Sequence, residues 1–238
     1  MGNRASMVRT VSSHLFEESH KTLCVILLNH ELPSWTPAVW ERAQVRLCAD
    51  GGANRLSDQF PSSPPPMTII GDLDSIRKDV LDKYCKQGAT VVNLSHDQDS
   101  TDMQKCVRHF VDSYVTESLH VIALGGLGGR IDHTISNLSN LLAFSQIPIV
   151  LVGDGNAAFL LRAKEKSRIE VDVENEGPGC GIIPFGGPAT VTSNGLKWNL
   201  SNDEMKLGAL ISTSNEILSP VVEVDTDGNL LWIFEVEK

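Results

Sequence analysis

The sequence predicts an α/β N-terminal domain built on a mainly parallel sheet, followed by a C-terminal domain that is a mostly antiparallel β-sandwich. Up to about residue 160, short runs rich in Val, Ile and Leu alternate with helix-like segments. After about residue 163, single apolar residues alternate with polar ones. The 238 residues, 41% of them hydrophobic, are enough for one large domain or two small ones with real cores.

Six apolar runs predict strands buried on both faces, because each run is nearly continuous rather than alternating. These runs are Thr22–Leu28, Val45–Ala49, Thr68–Ile70, Thr90–Leu94, His120–Leu124 and Ile147–Val152. Helix-like segments between consecutive runs favour βαβ units and therefore a parallel, Rossmann-like sheet.

Two helices are indicated by apolar residues spaced three and four apart. The first covers Asp102–Val115, with Ser100 or Asp99 as its N-cap and Val107, Phe110, Val111 and Tyr114 on one face. The second follows Asp132. Its apolar face is formed by Ile131, Ile135, Leu138, Leu141 and Leu142.

The C-terminal part shows the alternation of half-buried strands, as at Ile169, Val171 and Val173. Val221–Asp225 and Leu230–Val236 also predict strands, and the Asp227-Gly228 pair between them is a strong two-residue hairpin signal. We therefore expect a flexible leader over residues 1–20, an α/β domain over residues 21–162 and a β-sandwich over residues 163–238. Gly2 fits a short N-myristoylation pattern, but a flexible leader is the favoured interpretation.

Composition limits the classes of partner. The formal net charge of −10 argues against a nucleic-acid-binding protein, which usually carries a basic face. No apolar run approaches the roughly 20 residues that cross a bilayer, so no membrane partner is expected. The five cysteines form no CxxC pair, which favours reduced, buried thiols in a cytoplasmic protein.

Acidic and glycine-rich loops follow four of the predicted strands. They are Asp50–Arg55, Gly71–Ser75, His96–Asp102 and Gly125–His133. The carboxyl ends of parallel strands share one edge of a sheet, where ligands bind. We therefore expect one crevice to receive Asp50, Asp72, Asp74, Asp99 or Asp102, and Asp132.

Converging carboxylates need a cation. Two of them about 4 Å apart repel by roughly 4 kcal/mol at an effective dielectric constant near 20. Oxygen ligands favour Mg²⁺ or Mn²⁺ over zinc, and alternate positions 72 and 74 place both carboxylates on the same side of an extended segment. A single Asp-x-Asp is more often a turn, but four loops in register favour a metal site.

The loop Gly125–Gly129 follows a strand and opens a helix, so its amides are suited to phosphate oxygens. It matches neither GxGxxG nor a Walker A motif. The alternative to a phosphate-binding role is that this loop and Gly51-Gly52 are only two tight turns. Arg130 offers a planar donor for phosphate, and Asp132 is placed to orient it or to bind metal. The sequence shows no group of His and Cys residues at zinc-ligand spacing and no nucleophile triad. Direct phosphoryl or pyrophosphoryl transfer is therefore the favoured reaction.

At these residues the sequence resembles the eukaryotic thiamine pyrophosphokinases, also called thiamin diphosphokinases. The matching stretches run in order along most of the chain. They are Ala49–Arg55, Gly71–Ser75, Asp97–Asp102, Leu124–Asp132, Gly195–Leu200 and Ser212–Asn215. The resemblance implies transfer of the pyrophosphoryl group of ATP to the hydroxyl of thiamine, giving thiamine diphosphate and AMP. It also implies an α/β domain followed by a β-sandwich, in a homodimer with active sites at the subunit interface.

The resemblance also assigns roles to residues. Asp72, Asp74 and Asp102 are expected to bind Mg²⁺, and with Arg130 and Asp132 they form the catalytic set. By the resemblance, ATP or its phosphates are expected to contact Gln98, Thr101, Arg130 and Asp132. Asp50, Asn54, Gly126 and Gly128, from the same loops, are also expected to bind ATP. Thiamine is expected to contact Ser212, Ser214, Asn215 and Trp198. The alternatives are another Mg²⁺-dependent nucleotide kinase, which would release ADP, and a non-catalytic thiamine or nucleotide sensor.

One departure from the family concerns thiamine stacking. Several relatives carry an aromatic residue just after the Ser-Thr-Ser-Asn segment, whereas Glu216-Ile217-Leu218 follows it here. Ile217 or Leu218 would supply only apolar contact. For Trp198, stacking on thiamine and anchoring the sandwich core are both open.

Overall fold

The computed structural model describes residues 8–13, 15–16, 22–114 and 119–236. The chain forms two compact units. Among the described residues, the α/β unit takes those within 22–155, and the β unit takes those within 8–16 together with residues 156–236. The division falls before the expected boundary at residue 162 because strand β8 (Asn156–Leu161) pairs with a C-terminal strand of the β unit. Gly2 lies outside the described residues.

The α/β unit contains a parallel sheet that confirms the predicted fold class. Its six strands are β2 (Thr22–Leu27), β3 (Val45–Ala49), β4 (Thr68–Gly71), β5 (Thr90–Asn93), β6 (Leu119–Leu124) and β7 (Ile149–Gly153). They lie in the order β7-β6-β2-β3-β4-β5, and all neighbouring pairs are parallel. The chain proceeds from β2 in one direction to β5 and then returns to the other side of β2, so the sheet has its topological switch point between β2 and β6.

Five helices connect these strands. They are α1 (Thr36–Arg42), α2 (Gly52–Gln59), α3 (Lys78–Lys86), α4 (Asp102–Ser113) and α5 (Ile131–Ala143). The N-cap of α4 is Thr101, whose hydroxyl accepts from the Gln104 amide, rather than Ser100 or Asp99. Most of β2, β3, β4, β6 and β7 is buried, whereas β5 is partly exposed because it is the edge strand.

The apolar face expected for α5 is only partly buried. Leu141 is inside and Leu138 and Leu142 are half-buried, but Ile131 and Ile135 are 75% and 59% exposed. The prediction was wrong for these two isoleucines, because the buried residues of α5 are Asn137, Asn140 and Leu141, all in the later turns of the helix.

The β unit has two groups of strands. Its elements are β1 (Val8–Ser12), β8, β9 (Lys166–Glu170), β10 (Glu176–Pro184), β11 (Ala189–Asn194), β12 (Asp203–Met205), β13 (Ser212–Glu216), β14 (Val221–Thr226) and β15 (Leu230–Val236). One group has the order β1-β9-β14-β11-β12, and the other has the order β13-β10-β15-β8. All pairs are antiparallel except β1 with β9. The leader expected over residues 1–20 therefore contains a strand.

The hairpin expected at Asp227-Gly228 does not form. Strand β14 pairs with β9 and β11, whereas β15 pairs with β8 and β10, so the two consecutive strands belong to different groups. Asp227 instead accepts the Thr190 amide at 2.6 Å, which ties the turn to β11. The turn reverses the chain from one sheet of the sandwich-like fold to the other.

Four of the five cysteines are buried and free, and Cys85 is exposed. Burial raises the pKa of Cys24 and Cys48 well above the usual value, so both thiols are protonated core residues. Among the described residues, no helix is long and apolar enough to span a membrane.

Candidate active site

The loops at the carboxyl ends of β2, β4, β5 and β6 enclose a cavity of about 570 Å³ in the α/β unit. Its lining includes Asp72, Asp74, Gln98, Thr101, Asp102, Gly128 and Arg130 from the predicted set. Convergence of separate loops at one edge of a parallel sheet was the central expectation from the sequence. Of the carboxylates expected there, Asp72, Asp74 and Asp102 line the cavity, and Asp50, Asp99 and Asp132 do not.

Three carboxylates form the acidic centre of this edge. One carboxylate oxygen from each of Asp50, Asp72 and Asp74 lies within 4.8 Å of the other two. Asp50 is 1% exposed, Asp72 is half-buried and Asp74 is exposed. An all-oxygen set at this spacing is the chemistry that a hard divalent cation prefers.

Asp50 has a different role from the ATP contact expected of it. Its two carboxylate oxygens accept the amides of Ser75 at 3.1 Å and Ile76 at 2.8 Å. Asp50 has a positive φ of 27°, a backbone conformation that is uncommon for residues other than glycine. Asp50 is absent from the cavity lining and acts as an anchor for the loop that carries Asp72 and Asp74.

The close carboxylates titrate together. Burial raises the pKa of Asp50 to about 6, and its hydrogen bond with Asp72 adds to the shift. Although desolvation opposes the change, the pKa of Asp72 lies below its usual value because the Asp50 side chain and the Asp74 amide hydrogen-bond to its ionised form. Below about pH 6 the pair therefore holds a proton, which a bound divalent cation would displace.

Asp102 begins α4 at the edge of this group. It is half-buried, and burial raises the pKa of its carboxyl, with the charges of Asp72 and Asp74 acting in the same direction. Its oxygens lie outside the 4.8 Å cluster formed by the other three residues. The charges of the cluster therefore act on Asp102, but Asp102 is not a member of the cluster in this conformation.

Lys105 is a cavity residue that the sequence reasoning missed. It is only 4% exposed, and its charge stabilises the ionised forms of Asp72, Asp97 and Asp102. The available signal was its position three residues after Asp102, on the same face of a helix. A buried ammonium group gives the acidic cavity a fixed positive charge that suits a polyphosphate.

The loop before α4 is shaped by its own side chains. Asp97 accepts the amides of Asp99 and Ser100 at 3.2 and 3.1 Å, and the Gln98 amide group donates to the Ser95 carbonyl at 2.8 Å. Asp99 is exposed and absent from the cavity lining, whereas Asp97 and Asp102 both line it, so of the two alternatives Asp99 and Asp102 it is Asp102 that reaches the site.

The glycine-rich loop after β6 is held on several sides. The Gly126 amide donates to the Val152 carbonyl at 2.9 Å, and its carbonyl accepts from Asn137 at 2.9 Å. Gly126 therefore has no free backbone group for ATP and is absent from the cavity lining. Gly128 and Gly129 do line the cavity, with φ values of 90° and 63°.

Arg130 and Asp132 form an exposed ion pair at the start of α5. The Arg130 Nε donates to Asp132 Oδ1 at 3.0 Å, and a second, short bond joins the same two groups. Arg130 lines the cavity and Asp132 does not, so the contact of Asp132 with the site is its ion pair with Arg130.

Asn54 and Gly52 stabilise the loops of the site through contacts within the protein rather than through contacts with a ligand. The Asn54 side chain donates to the Ser75 carbonyl at 2.9 Å and accepts the Arg77 amide at 3.0 Å, so both of its polar ends are used within the protein. A Cβ at Gly52 would lie 2.1 Å from the Leu27 carbonyl oxygen. Gly52 therefore allows α2 to approach β2 rather than a ligand to approach the backbone.

His30 and Asp154 were also missed. His30 follows β2, and Asp154 follows β7, with 2.9 Å between His30 Nε2 and Asp154 Oδ1. His30, together with Ser136 and Asn137, lines the cavity. The rule that polar residues after strand ends form the site predicts His30 and Asp154 when it is applied to β2 and β7 as well.

The predicted thiamine residues lie near one another in the β unit. The Asn215 side chain is buried, accepts the amides of Trp198 and Glu216, and donates to the Trp198 carbonyl at 2.8 Å and to Ser212 Oγ at 3.1 Å. Trp198 is 55% exposed, so it is not an anchor of the sandwich core. Ser214 is exposed with a φ of 55°.

The exposed Trp198 ring has a charged neighbour. Lys197 Nζ lies 4.6 Å from the ring centroid and 2.7 Å from Glu216 Oε1. Leu218 is 67% exposed and Ile217 is half-buried, so both offer apolar surface just after the Ser212–Asn215 segment.

Comparison with known proteins gives consistent matches along the chain. The family model described as the thiamin pyrophosphokinase catalytic domain matches residues 36–151, and the model described as the thiamin pyrophosphokinase vitamin B1 binding domain matches residues 166–231. Thiamine pyrophosphokinase 1 of Arabidopsis thaliana is 44% identical over 230 residues, which cover 90% of this chain and 86% of the relative.

Two further comparisons agree. Thiamine pyrophosphokinase 1 of Oryza sativa subsp. japonica is 41% identical over 237 residues, covering 91% of this chain and 88% of the relative. The crystal structure of yeast thiamin pyrophosphokinase matches with a TM-score of 0.86 at 23% identity, covering 100% of this chain and 94% of that one, and so supports the fold. By the matching models and the identity to these relatives, the chain belongs to the thiamine pyrophosphokinase family, a family of transferases.

Proposed function

We propose that this protein transfers the pyrophosphoryl group of ATP to the hydroxyl of thiamine, releasing AMP and thiamine diphosphate. The observation that carries the proposal is the single cavity in which Asp72, Asp74, Lys105 and the Gly128–Arg130 segment meet at the carboxyl ends of parallel strands. Carboxylates for a metal ion and cationic donors for phosphate are the parts that phosphoryl transfer requires. Family membership narrows the acceptor to thiamine.

The donor set fits Mg²⁺. Asp72, Asp74 and Asp102 are the proposed ligands, since they line the cavity and offer only oxygen. Asp50 belongs to the same crowded group, but its oxygens are occupied by the Ser75 and Ile76 amides, so it supports the ligands. A bound Mg²⁺ would supply charge neutralisation for the ATP phosphates.

The proposed ATP contacts are Gln98, Thr101, Gly128, Lys105 and Arg130. Arg130 is the planar donor for the transferred group, and Asp132 fixes its direction through their ion pair. Asp50, Asn54 and Gly126 were expected to contact ATP. We propose instead that they stabilise the loops of the site, because their polar groups form hydrogen bonds within the protein.

The chemistry is a single displacement. The thiamine hydroxyl oxygen forms a bond to the β-phosphorus of ATP, while the bond from that phosphorus to the oxygen bridging it to the α-phosphorus breaks. AMP carries away the bridging oxygen, and the hydroxyl proton passes to a nearby carboxylate. The protein's residues act by positioning and by stabilising charge rather than as a covalent nucleophile.

For thiamine, we propose contacts from Ser212, Ser214, Asn215 and Trp198. The exposed Trp198 ring offers a stacking surface, and buried Asn215 fixes the backbone on both sides of that ring. We also propose a homodimer in the cytoplasm. Ile131 and Ile135, exposed beside Arg130, offer apolar surface for a second copy, and buried free thiols suit a reducing compartment.

Incubation of the protein with ATP, Mg²⁺ and thiamine, followed by identification of the products, tests the activity. AMP and thiamine diphosphate in equal amounts support the proposal. ADP would indicate another kinase, and tight thiamine binding without AMP would indicate a sensor. Sedimentation velocity tests the homodimer, and fluorescence imaging of the tagged protein tests the cytoplasmic location.

A further inference from the structure

A hydrogen-bonded pair crosses the glycine-rich loop. His30 follows β2 and Asp154 follows β7, and the order β7-β6-β2 places β6 between them. Since neighbouring strands lie about 4.8 Å apart, the bridge spans the end of the intervening strand, where Gly125–Gly129 begins. We call the His30–Asp154 pair the strap.

Gly128 and Gly129 lie directly against the strap. A Cβ at Gly128 would be 2.0 Å from Asp154 Oδ2 and 2.8 Å from His30 Nε2, and a Cβ at Gly129 would be 3.0 Å from His30 Nδ1. Both glycines have positive φ values. The pair therefore occupies the space that side chains at these positions would need, and the backbone passes it in a left-handed conformation.

Other contacts hold the same loop from different elements. The Gly126 amide is bonded to Val152 of β7, and Thr134 of α5 donates to the Gly128 carbonyl at 3.0 Å. The strap adds a restraint from the β2 side, next to the residues that enter the cavity. His30 itself lines that cavity together with Gly128, Gly129 and Arg130.

We propose that His30 and Asp154 are positioning residues that fix Gly128, Gly129 and Arg130 in the arrangement that binds the polyphosphate of the nucleotide. This inference rests on the proposed function for the identity of the nucleotide. A loop that is already ordered loses little conformational freedom when a ligand binds, so the strap contributes to ATP affinity rather than to the chemical step.

Two variants remove the strap in different ways. His30→Ala deletes the ring, and Asp154→Gly deletes the carboxylate while tolerating the φ of 49° at that position. In each, we expect the KM for ATP to rise about tenfold, with kcat within about threefold and the KM for thiamine unchanged. Asp154→Asn keeps an acceptor oxygen and should stay within about threefold of wild type in all three quantities.

Glu223→Ala is the matched control, because it breaks a surface ion pair with Lys166 of similar exposure in the β unit. It should change none of these values. Hydrogen exchange of the amides of residues 126–130 in the ligand-free protein provides a readout that does not depend on activity. Exchange should accelerate in His30→Ala and Asp154→Gly and not in the control.

A double-mutant cycle tests the contact itself. Gly128→Ala places a methyl group against Asp154, so its cost in ATP affinity, measured by calorimetry with ATP and Mg²⁺, should be smaller in the Asp154→Gly background. Additive effects, an unchanged KM for ATP, or an equal rise in both KM values would overturn the proposal. If wild-type protein formed no thiamine diphosphate, the proposed function would fail, whereas loop exchange and the cycle with ATP would still report on the strap.

Discussion

Asp50 Oδ1 accepts the backbone amide of Ile76 at 2.8 Å, and this bond joins the end of β3 to the loop after β4. The second oxygen of Asp50 accepts the amide of the preceding residue, so one buried carboxylate holds two consecutive amides. Charge-assisted hydrogen bonds of this kind are stronger than neutral ones. Asp50 thereby fixes the backbone of the loop that carries the neighbouring Asp72 and Asp74 side chains.

Replacing Asp50 with Ala should loosen the loop that carries the proposed metal ligands. Because Asp72 and Asp74 would then have to be ordered by the metal itself, we expect the Mg²⁺ concentration for half-maximal turnover to rise at least tenfold, about 1.4 kcal/mol. A Mg²⁺ titration of the initial rate measures this. Asp82→Ala, on the exposed face of α3, is the control. An unshifted Mg²⁺ curve in Asp50→Ala would contradict the anchoring role.

The raised pKa of Asp50 predicts a pH dependence of stability. With a pKa of about 6 in the folded protein and about 3.9 when unfolded, the folded state holds more protons between these values. The contribution of Asp50 to the free energy of unfolding is therefore present below about pH 4. It decreases as the pH rises through about 6, by up to about 3 kcal/mol.

Urea denaturation of metal-free protein at a series of pH values measures this effect. The difference in unfolding free energy between wild type and Asp50→Asn should change in favour of the variant as the pH rises from about 4 to 6. The lowered pKa of Asp72 acts at more acidic pH, and the raised pKa of Asp102 is present in both proteins, so the difference between them reports on Asp50. Parallel curves for the two proteins would show that Asp50 does not titrate there.

Asp72→Asn and Asp74→Asn test the proposed ligands directly. Each change removes one negative oxygen from the cavity with little change in volume, so we expect turnover at saturating Mg²⁺ and ATP to fall more than tenfold, or more than about 1.4 kcal/mol. Asp225→Asn on the exposed side of β14 should be neutral. Turnover within about threefold of wild type in either cavity variant would exclude that residue as a metal ligand.

The positions of the site loops were predictable because they depend on a general property of parallel sheets. Strands such as Val45–Ala49 were evident from continuous apolar runs, and the loops after them had to share an edge. The direction of each side chain was not predictable in this way. Asp50 and Asn54 follow the same strand as expected, yet both point into the protein, because their partners are amides more than 20 residues away in the chain.

Long-range pairing also explains the hairpin that was predicted and does not form. Asp227-Gly228 signals a chain reversal, and the chain does reverse there. Which strand then lies beside β14 depends on β9 and β11, whose pairing no local pattern encodes. A turn signal therefore predicts the bend and leaves the partner strand open.

Lys105 provides a test of the cavity's charge balance. Lys105→Met removes the buried ammonium and keeps a similar length, so Asp72, Asp97 and Asp102 lose a stabilising charge. We expect the metal-free variant to lose about 1–3 kcal/mol of unfolding free energy and Mg²⁺ to restore part of it. Urea denaturation with EDTA and with Mg²⁺ measures both values. Exposed Lys78→Met is the control, and equal losses with and without Mg²⁺ would argue against charge balance as the cause.

Substitutions of Asn215 and Trp198 should distinguish a residue that stabilises the β unit from a residue that binds thiamine. Asn215→Ala removes four hydrogen bonds from a buried side chain, so we expect a loss of about 2–3 kcal/mol in unfolding free energy. Trp198→Ala truncates an exposed ring and should change stability by less than about 0.5 kcal/mol.

The kinetic effects of these two variants should differ in kind. In Trp198→Ala, loss of a stacking surface should raise the KM for thiamine about tenfold while the KM for ATP stays constant, as measured by initial rates with each substrate varied in turn. Leu207→Ala is the control, since Leu207 is similarly exposed in the same unit. If Trp198→Ala instead destabilised the protein as strongly as Asn215→Ala and left the KM for thiamine unchanged, Trp198 would be a structural residue, and the thiamine surface would have to be sought around Ile217 and Leu218.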